Sequence, residues 1–536
     1  MRERTGQERC TDLIARYHAL KNARVNFDNL WQEVAELVFP NRADFTVTQS
    51  AGVKRTNKQF ETTAAVCARM LAADINGMMT DPSAKWFGLT FRANASVSAS
   101  LKEWLQQAED ILYAALYEPG ANFQGAINEC YLDLPTIGTC ALFTGWREKT
   151  NSLLFQSRSV SQIVIDENDV GAVDTVFRSF CFDARKIRAA FGENVLNDKM
   201  RADLEKNDFS KQWEIVQAVY PNEKADGNLE HAFKSEYILV DEKRPLREEQ
   251  FRELPFAVAR WSKCNGEMYG RGPAIDCLAD IKMLQAMMKE TIIAAQLANR
   301  PPLLVQDDEE IAPMTTVPGG VIRYRGERPQ YLAPGGSPAF GKDMMEDIRT
   351  RIRLSFMNGQ LSFLTGDRRT ATEIIERVRE AARLMGPVYG RLTTELLSPT
   401  ISRAFSLLYR AGVIPPAPAH SNDALGIDIV YLSPLAKAMR YEKADRYNQA
   451  YAASAAFLQA DPSALALIDA KKGVREIHKI YGTEDVLRDE AEVEEILERQ
   501  NAQAQQQEQA QNAGTALELQ AMQNDVRAQD KELGNV

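Results

Sequence analysis

Apolar residues recur at helical spacing along most of this chain and at strand spacing in one interior stretch. Residues 8–38 give two amphipathic helices: Leu13, Tyr17 and Leu20 share one face, and Phe27, Leu30, Trp31, Val34 and Leu37 share the next, with Pro40 closing the pair. Residues 57–79 read as a third helix through Ala64, Cys67, Leu71 and Ile75, and the alternation over 86–91 predicts a strand. Residues 101–117 and 123–136 return to helix. Between Thr139 and Leu254 the pattern changes to short β-like runs at 140–143, 153–157, 163–165, 175–180, 213–219 and 235–240, with short helices at 183–191 and 198–206. The expected class is therefore α+β and predominantly helical.

From Tyr269 onward the layout is helix, insert, helix, loop, long helix. Residues 269–300 carry an apolar stripe of Leu278, Ile281, Leu284, Met288, Ile292 and Ala295, with Pro273 at a helix-starting position. The insert 301–340 holds seven of the 22 prolines and two strand-like runs, 303–305 and 321–324. In 341–357, Met345, Ile348, Ile352 and Phe356 face one way, and Lys342, Glu346, Arg349 and Arg353 another. The loop from Asn358 ends at a Ser/Thr-x-x-Glu capping box, Thr370 to Glu373, in which each side chain satisfies a backbone N–H of the other's turn. A helical pattern then runs to Gly412, with kinks expected at Gly386-Pro387 and Ser398-Pro399. A smaller helical region follows at 435–481. The tail from Thr483 is acidic and then rich in Gln and Ala, a composition that suits an exposed helix, a bundle with copies of itself, or disorder.

Composition narrows the chemistry. A formal charge of −10 disfavours tight, stationary gripping of nucleic acid but not its passage, since a surface that repels phosphate resists sticking. No run approaches the roughly 18 uninterrupted apolar residues of a membrane span. The seven cysteines include no Cys-x-x-Cys pair, and the four histidines (His18, His231, His420, His478) show no ligand spacing, so no metal, cofactor or catalytic group is expected. The run from Gly336 to Asp343 matches a phosphate loop except at its last position, where Asp343 replaces the hydroxyl that holds magnesium. The chain is not expected to be an ATPase or any other enzyme. The basic cluster Arg349, Arg351, Arg353, Arg368 and Arg369 fits either ion pairing, within the helix or between subunits, or contact with a DNA backbone.

Several separate stretches resemble the portal, or head-to-tail connector, proteins of short-tailed bacteriophages. They are Asn26 to Ala35; Gly77 to Ser83 with Trp86-Phe87; Tyr131 to Leu134 with Gly138-Thr139; Tyr269-Gly270-Arg271-Gly272-Pro273-Ala274; Arg369 to Ile374; and Gly386-Pro387 with Arg391 to Pro399. The resemblance implies a ring, typically of twelve copies, at one capsid vertex of the virion, assembled in the host cytoplasm. It implies as partners the major capsid and scaffold proteins, the large terminase that drives packaging, a tail adaptor, and double-stranded DNA passing through, with no membrane. Residues 1–268 would be most of the wing, 269–300 and 341–357 two stem helices, 301–340 the clip, and 358–369 a tunnel loop. Residues 370–412 would be a long kinked wing helix, 413–482 the crown, and 483–536 a barrel helix or tail. On this layout Lys342, Arg349, Arg353, Asn358, Gln360, Phe363, Arg368 and Arg369 are the candidates to face the channel. From composition alone, a helical scaffold or adaptor without a DNA channel remains the alternative.

Overall fold

The computed structural model describes residues 6–91 apart from 49 and 51, then 99–222, 231–299, 303–304, 330–331, 338–358, 371–418, 427–433 and 435–436, and scattered positions between 446 and 499. By its internal contacts the chain divides into two units, Met1–Ala438 and Met439–Val536. In the second, the described helix Ala470–Tyr481 begins where Lys472 N donates to the Asp469 side chain. All that follows concerns the first unit.

Helices α1 (Gly6–Ala23) and α2 (Val25–Val38) meet at Arg24. Its buried guanidinium donates to the carbonyls of Val160 and Ile163, lies 3.0 Å from Asp28 and sits over the rings of Trp31 and Tyr269. This one side chain thus ties the helical elbow to the α+β part. Helix α3 (Thr63–Met79) starts six residues later than its sequence pattern suggests. Strand β1 (Phe87–Phe91), α4 (Ala99–Leu116) and α5 (Phe123–Ile137) follow as expected.

The interior β-like runs become two antiparallel sheets. β2 (Thr139–Arg147), β3 (Ser152–Arg158) and β9 (Phe256–Arg260) form one, ordered β3-β2-β9. β4 (Ile163–Glu167), β5 (Val173–Phe182), β6 (Trp213–Pro221), β7 (Phe233–Leu239) and β8 (Arg244–Phe251) form the other, in sequence order. Between β5 and β6 stand α6 (Ala184–Phe191) and α7 (Asp198–Glu205), each N-capped by a side chain, Asp183 or Asn197, that accepts a backbone N–H. Helix α1 packs Leu13, Ile14 and Tyr17 on one face of the five-stranded sheet; α6 and α7 cover part of the other.

The sequence pattern does not foresee β8 or β9. It also has no strand at Ile427–Tyr431, which forms β12 and pairs with β1, Phe87 opposite Tyr431. Nor is 269–300 one helix: a turn of helix, α8 (Pro273–Asp276), precedes α9 (Leu278–Asn299). Two-residue strands β10 (Leu303–Leu304) and β11 (Gln330–Tyr331) then pair, while the expected strand at 321–324 lies outside the described residues. Helix α10 (Pro338–Ser355) begins three residues before the expected start. The long helix runs unbroken through Pro387 as α11 (Ala371–Leu392), then widens to a π turn over Thr393–Leu397 before α12 (Ser398–Arg410). The irregularity therefore falls just before Ser398-Pro399. Pro399 has no N–H to give the carbonyl four residues back, and a π turn is one way a helix absorbs such a gap.

Two features of α5 fix the geometry. At its end Gly138 takes a left-handed φ of 84°, and its backbone passes directly against the segment 270–272. A Cβ on Gly138 would stand 2.5 Å from Gly270 O and Gly272 N, one on Gly270 would stand 2.3 Å from Gly138 O, and one on Gly272 2.5 Å from Leu134 O. Hydrogen bonds close the crossing: Trp261 N donates to Gly138 O at 2.9 Å, and Gly270 N to Thr139 Oγ1 at 2.9 Å. Further back on the same helix, Asp133 is buried with neither carboxylate oxygen hydrogen-bonded; Arg42 Nε lies 3.2 Å from Oδ1. Burial pushes its carboxyl up to about 7, with Arg42 opposing and Glu129 and Asp44 reinforcing the rise.

Gly138→Ala should destabilise the fold by on the order of 3 kcal/mol, since it adds left-handed strain to backbone overlap; an unfolding midpoint within error of the parent's would refute the crossing. For Asp133, the folded state keeps a proton that the unfolded chain releases near pH 4, so stability falls as pH rises from about 4 to 7 and is flat above. Asp133→Asn should therefore melt higher than the parent at pH 8, by on the order of 3 kcal/mol, with the gap narrowing towards pH 5. Thermal melts across that range test it, and a pH-independent gap would count against a titrating Asp133.

Candidate functional site

The layout singled out by the sequence is built on α9 and α10, which pack together, α10 also on α3 and α9 on α2. Helix α9 is rooted by Ile281 and Leu284, both buried, and by Gln285. The Gln285 side chain accepts from Phe60 N at 2.7 Å and Glu61 N at 3.0 Å, and donates to Glu61 O at 2.7 Å. Beyond Met288 the support ends. Every side chain from Lys289 to Gln296 is exposed, among them Ile292 at 40% and Ile293 at 37%. On α10 the predicted stripe holds: Met345, Ile348, Ile352 and Phe356 are all buried, while Met344 and Leu354 are exposed. An apolar surface left open on both helices has an energetic reason to acquire a partner, since each buried Å² contributes about 25 cal/mol.

The polar face of α10 is answered from within the unit. Arg353 donates to Glu346 at 2.7 Å, and Arg349 to Glu346 at 3.2 Å and to Glu61 at 3.4 Å. Those two guanidinium groups hold the Glu346 carboxyl below its ordinary range. Arg351 lies 3.5 Å from Asp280 and 3.6 Å from Asp347, joining α10 to α9. Lys282 of α9 reaches Glu33 of α2 at 2.6 Å. Lys342 is exposed. Helix α10 ends as Met357 turns left-handed (φ 54°) and Asn358 N returns to Arg353 O at 2.8 Å; the Asn358 amide then lies 3.3 Å from Cys67 Sγ and 3.6 Å from Met70 Sδ on α3. Of the remaining candidates, Gln360, Phe363, Arg368, Arg369 and Thr370 lie outside the described residues. Glu373 falls in α11 with its side chain likewise outside them, so the capping box is not among the described contacts.

A second cluster, not foreseen from the sequence, joins the long helix to the sheets. Arg260, at the end of β9 and buried, gives its backbone N–H to Glu395 Oε2 at 2.9 Å and its side chain to both oxygens of Glu395, at 3.2 and 2.7 Å. Glu395 belongs to the π turn. The same guanidinium bonds Glu167 and the carbonyls of Met268 and Gly171, and Lys263 chelates Glu167 with both contacts at 2.7 Å. The cluster floors an open pocket of about 460 Å³ walled by Lys263 to Met268 and Arg391. The charges of Arg260, Lys263, Glu167 and Glu395 balance. Among the described residues no group of three or more His, Cys, Asp or Glu could hold a metal, and no helix is long and apolar enough to cross a membrane.

Breaking a buried ion pair on one side leaves an uncompensated charge, whereas removing both partners can be nearly neutral. Arg260→Met should therefore cost about 3 kcal/mol, and Arg260→Met with Glu395→Leu should recover most of that loss. Denaturant unfolding of Arg260→Met, Glu395→Leu and the double variant tests the tie, and a double variant as weak as the sum of its singles would argue against it.

The family model described as bacteriophage head to tail connecting protein matches residues 10–517. Among similar proteins, a probable portal protein of Bordetella phage BPP-1 is 26% identical over 451 residues, covering 80% of this chain and 79% of that one. The portal protein of Salmonella phage epsilon15 is 23% identical over 512 residues, covering 92% and 91%. That of Enterobacteria phage T3 is 23% identical over 382 residues, covering 68% and 66%.

Proposed function

The chain belongs to the bacteriophage head to tail connecting proteins, and we propose that it acts as a portal: the conduit at one capsid vertex through which the genome enters and leaves, and to which the tail is joined. The observation that carries this is the family match across nearly the whole chain. It is a structural rather than a catalytic role, and the balanced charges of the Arg260 cluster are consistent with that.

In the finer reading, copies of the chain close into a ring, with twelve as the expected number. Residues 269–300 and 341–357 form the stem, 301–340 the clip and 358–369 the tunnel loop. Residues 1–268 with 370–412 make the wing, and 413–482 the crown. The packaging motor and the tail adaptor dock at the clip. Support for the ring comes from the open apolar surface of Ile292, Ile293, Met344 and Leu354, which a neighbouring copy would cover. In this reading Lys342, Arg349, Arg353, Asn358, Gln360, Phe363, Arg368 and Arg369 are the candidates to face the channel. Double-stranded DNA, capsid, scaffold and tail proteins are the partners of this reading.

End-on electron micrographs of the purified full-length chain, alone and after assembly with capsid and scaffold proteins, should show a ring with an open centre, and rotational averaging would count its subunits. A particle that stays a single copy under both conditions would overturn the proposal.

A further inference from the structure

Three Asn-Gly pairs occur along the chain, Asn76-Gly77, Asn265-Gly266 and Asn358-Gly359. The pairing matters chemically because the backbone nitrogen that follows an asparagine can attack that residue's own side-chain amide. Ring closure needs a nitrogen free of hydrogen bonds and a peptide unit free to turn towards the side chain, which glycine favours.

The fold treats the pairs differently. Asn76-Gly77 lies within α3, where the helical ladder engages the Gly77 N–H and holds the peptide in line. The Asn76 carbonyl accepts from Thr80 N at 2.9 Å, and its side-chain oxygen from Thr80 Oγ1 at 2.9 Å. Asn358 has its amide against Cys67 Sγ, and Gly359 lies outside the described residues.

Asn265-Gly266 is under no such restraint. The two residues are the centre of a β-turn closed by Glu267 N, which donates to Cys264 O at 3.2 Å. Of the two only Gly266 takes a positive φ, 79°, the pattern of a type II turn. Both are exposed, and nothing lies within 4 Å of where a Cβ on Gly266 would stand. Among the described contacts neither the Asn265 side chain nor the Gly266 N–H makes a hydrogen bond. With glycine at the third position of the turn, the central peptide flips at little steric cost. The base of the loop is fixed, since Arg271 N donates to Ser262 O at 2.8 Å and Trp261 N to Gly138 O at 2.9 Å.

We propose that Asn265 is a site of spontaneous succinimide chemistry. Gly266 N gives its proton to solvent base and bonds to the side-chain carbonyl carbon of Asn265. The bond from that carbon to the amide nitrogen breaks, and the nitrogen takes up a proton and leaves as ammonia. Water then opens either C–N bond of the ring, which leaves an aspartyl or an isoaspartyl residue at position 265. Neither step changes an oxidation state or calls for a co-reactant other than water. Both products add a carboxylate to the wall of the pocket that holds Glu167, Lys263, Glu267 and Arg391. The inference is independent of the portal reading, since it rests on one turn within a single copy.

The test is peptide mapping by mass spectrometry of the full-length chain after incubation in mildly alkaline buffer, folded and in urea. Isoaspartyl product is read separately, by enzymatic transfer of a labelled methyl group from S-adenosylmethionine. In the folded chain, position 265 should lose its amide at least about tenfold faster than position 76, whose helix must open first. In urea the two should convert at similar rates, because both precede glycine. Asn265→Gln, which has to close a larger ring, should lose the methyl label from its peptide while the melting midpoint stays that of the parent. An amide kept at 265 in the folded chain, over a time in which the chain in urea loses it, would overturn the proposal. Equal rates at 265 and 76 in the folded chain would overturn it too, by making sequence alone the cause.

Discussion

The architecture depends on a backbone crossing that only glycine permits. Where α5 ends, Gly138 lies against Gly270 and Gly272 at distances that leave no room for a Cβ on any of the three. From this crossing β2 departs in one direction and α8 and α9 in the other. The buried Tyr269 ring completes it, meeting Trp31 edge-on while its hydroxyl accepts from Ile165 N at 3.2 Å. The angle at which α9 leaves the body is thus set by main-chain contact, which cannot be adjusted by changing a rotamer. A helix that projects beyond its own core needs such a root, because its outer turns receive no support from the rest of the unit.

A second tie holds the far end of the layout. The π turn places Glu395 on Arg260, and Arg260 is only eight residues before the end of the turn that Met268 makes towards Tyr269. Helix α12 is fastened separately: Arg403, buried, donates to Thr144 O at 2.8 Å and Glu253 O at 2.9 Å. The long helix is therefore pinned at its irregular turn, to β9 before Pro399, and beyond that turn, to the β2 and β8–β9 region. Displacing α11 along its axis would have to break a charge-assisted bidentate contact, so the π turn is held in register by tertiary bonds as much as by the proline.

The helices and the hairpin-rich centre were legible because their apolar periods are strong and local. The missed strands have physical reasons. β8 carries Arg244, Arg247, Glu248 and Glu249 as the edge of its sheet, where charge discourages further pairing and hides the strand pattern. β9 is five residues, buried throughout and apolar up to its final Arg260, which periodicity cannot distinguish from a piece of helix. β12 finds its partner β1 more than 300 positions earlier, and no local signal encodes that pairing. At the candidate site, the Glu346–Arg349–Arg353 grouping followed from helical spacing, whereas Glu61 entered it from 288 residues away. The glycine motifs at 138 and 270–272 were visible as words in the sequence, but that they are two halves of one contact was not.

The charge pattern then bears on how such a conduit handles DNA. Arg349, Arg351 and Arg353 are each within 4 Å of a carboxylate on α10, α9 or the segment before α3. An arginine already sharing a carboxylate gains less from a phosphate, because it must give up or divide an existing bond, and fewer counterions are released per contact. In the proposed ring, and with these arginines facing its channel as proposed, that arrangement would hold passing phosphates weakly and evenly, with no deep position at which the duplex halts. A chain of net charge −10 reinforces the same balance. Transit requires attraction sufficient to centre the duplex and too shallow to trap it, and arginines neutralised in place by nearby carboxylates are one way for a protein to build it.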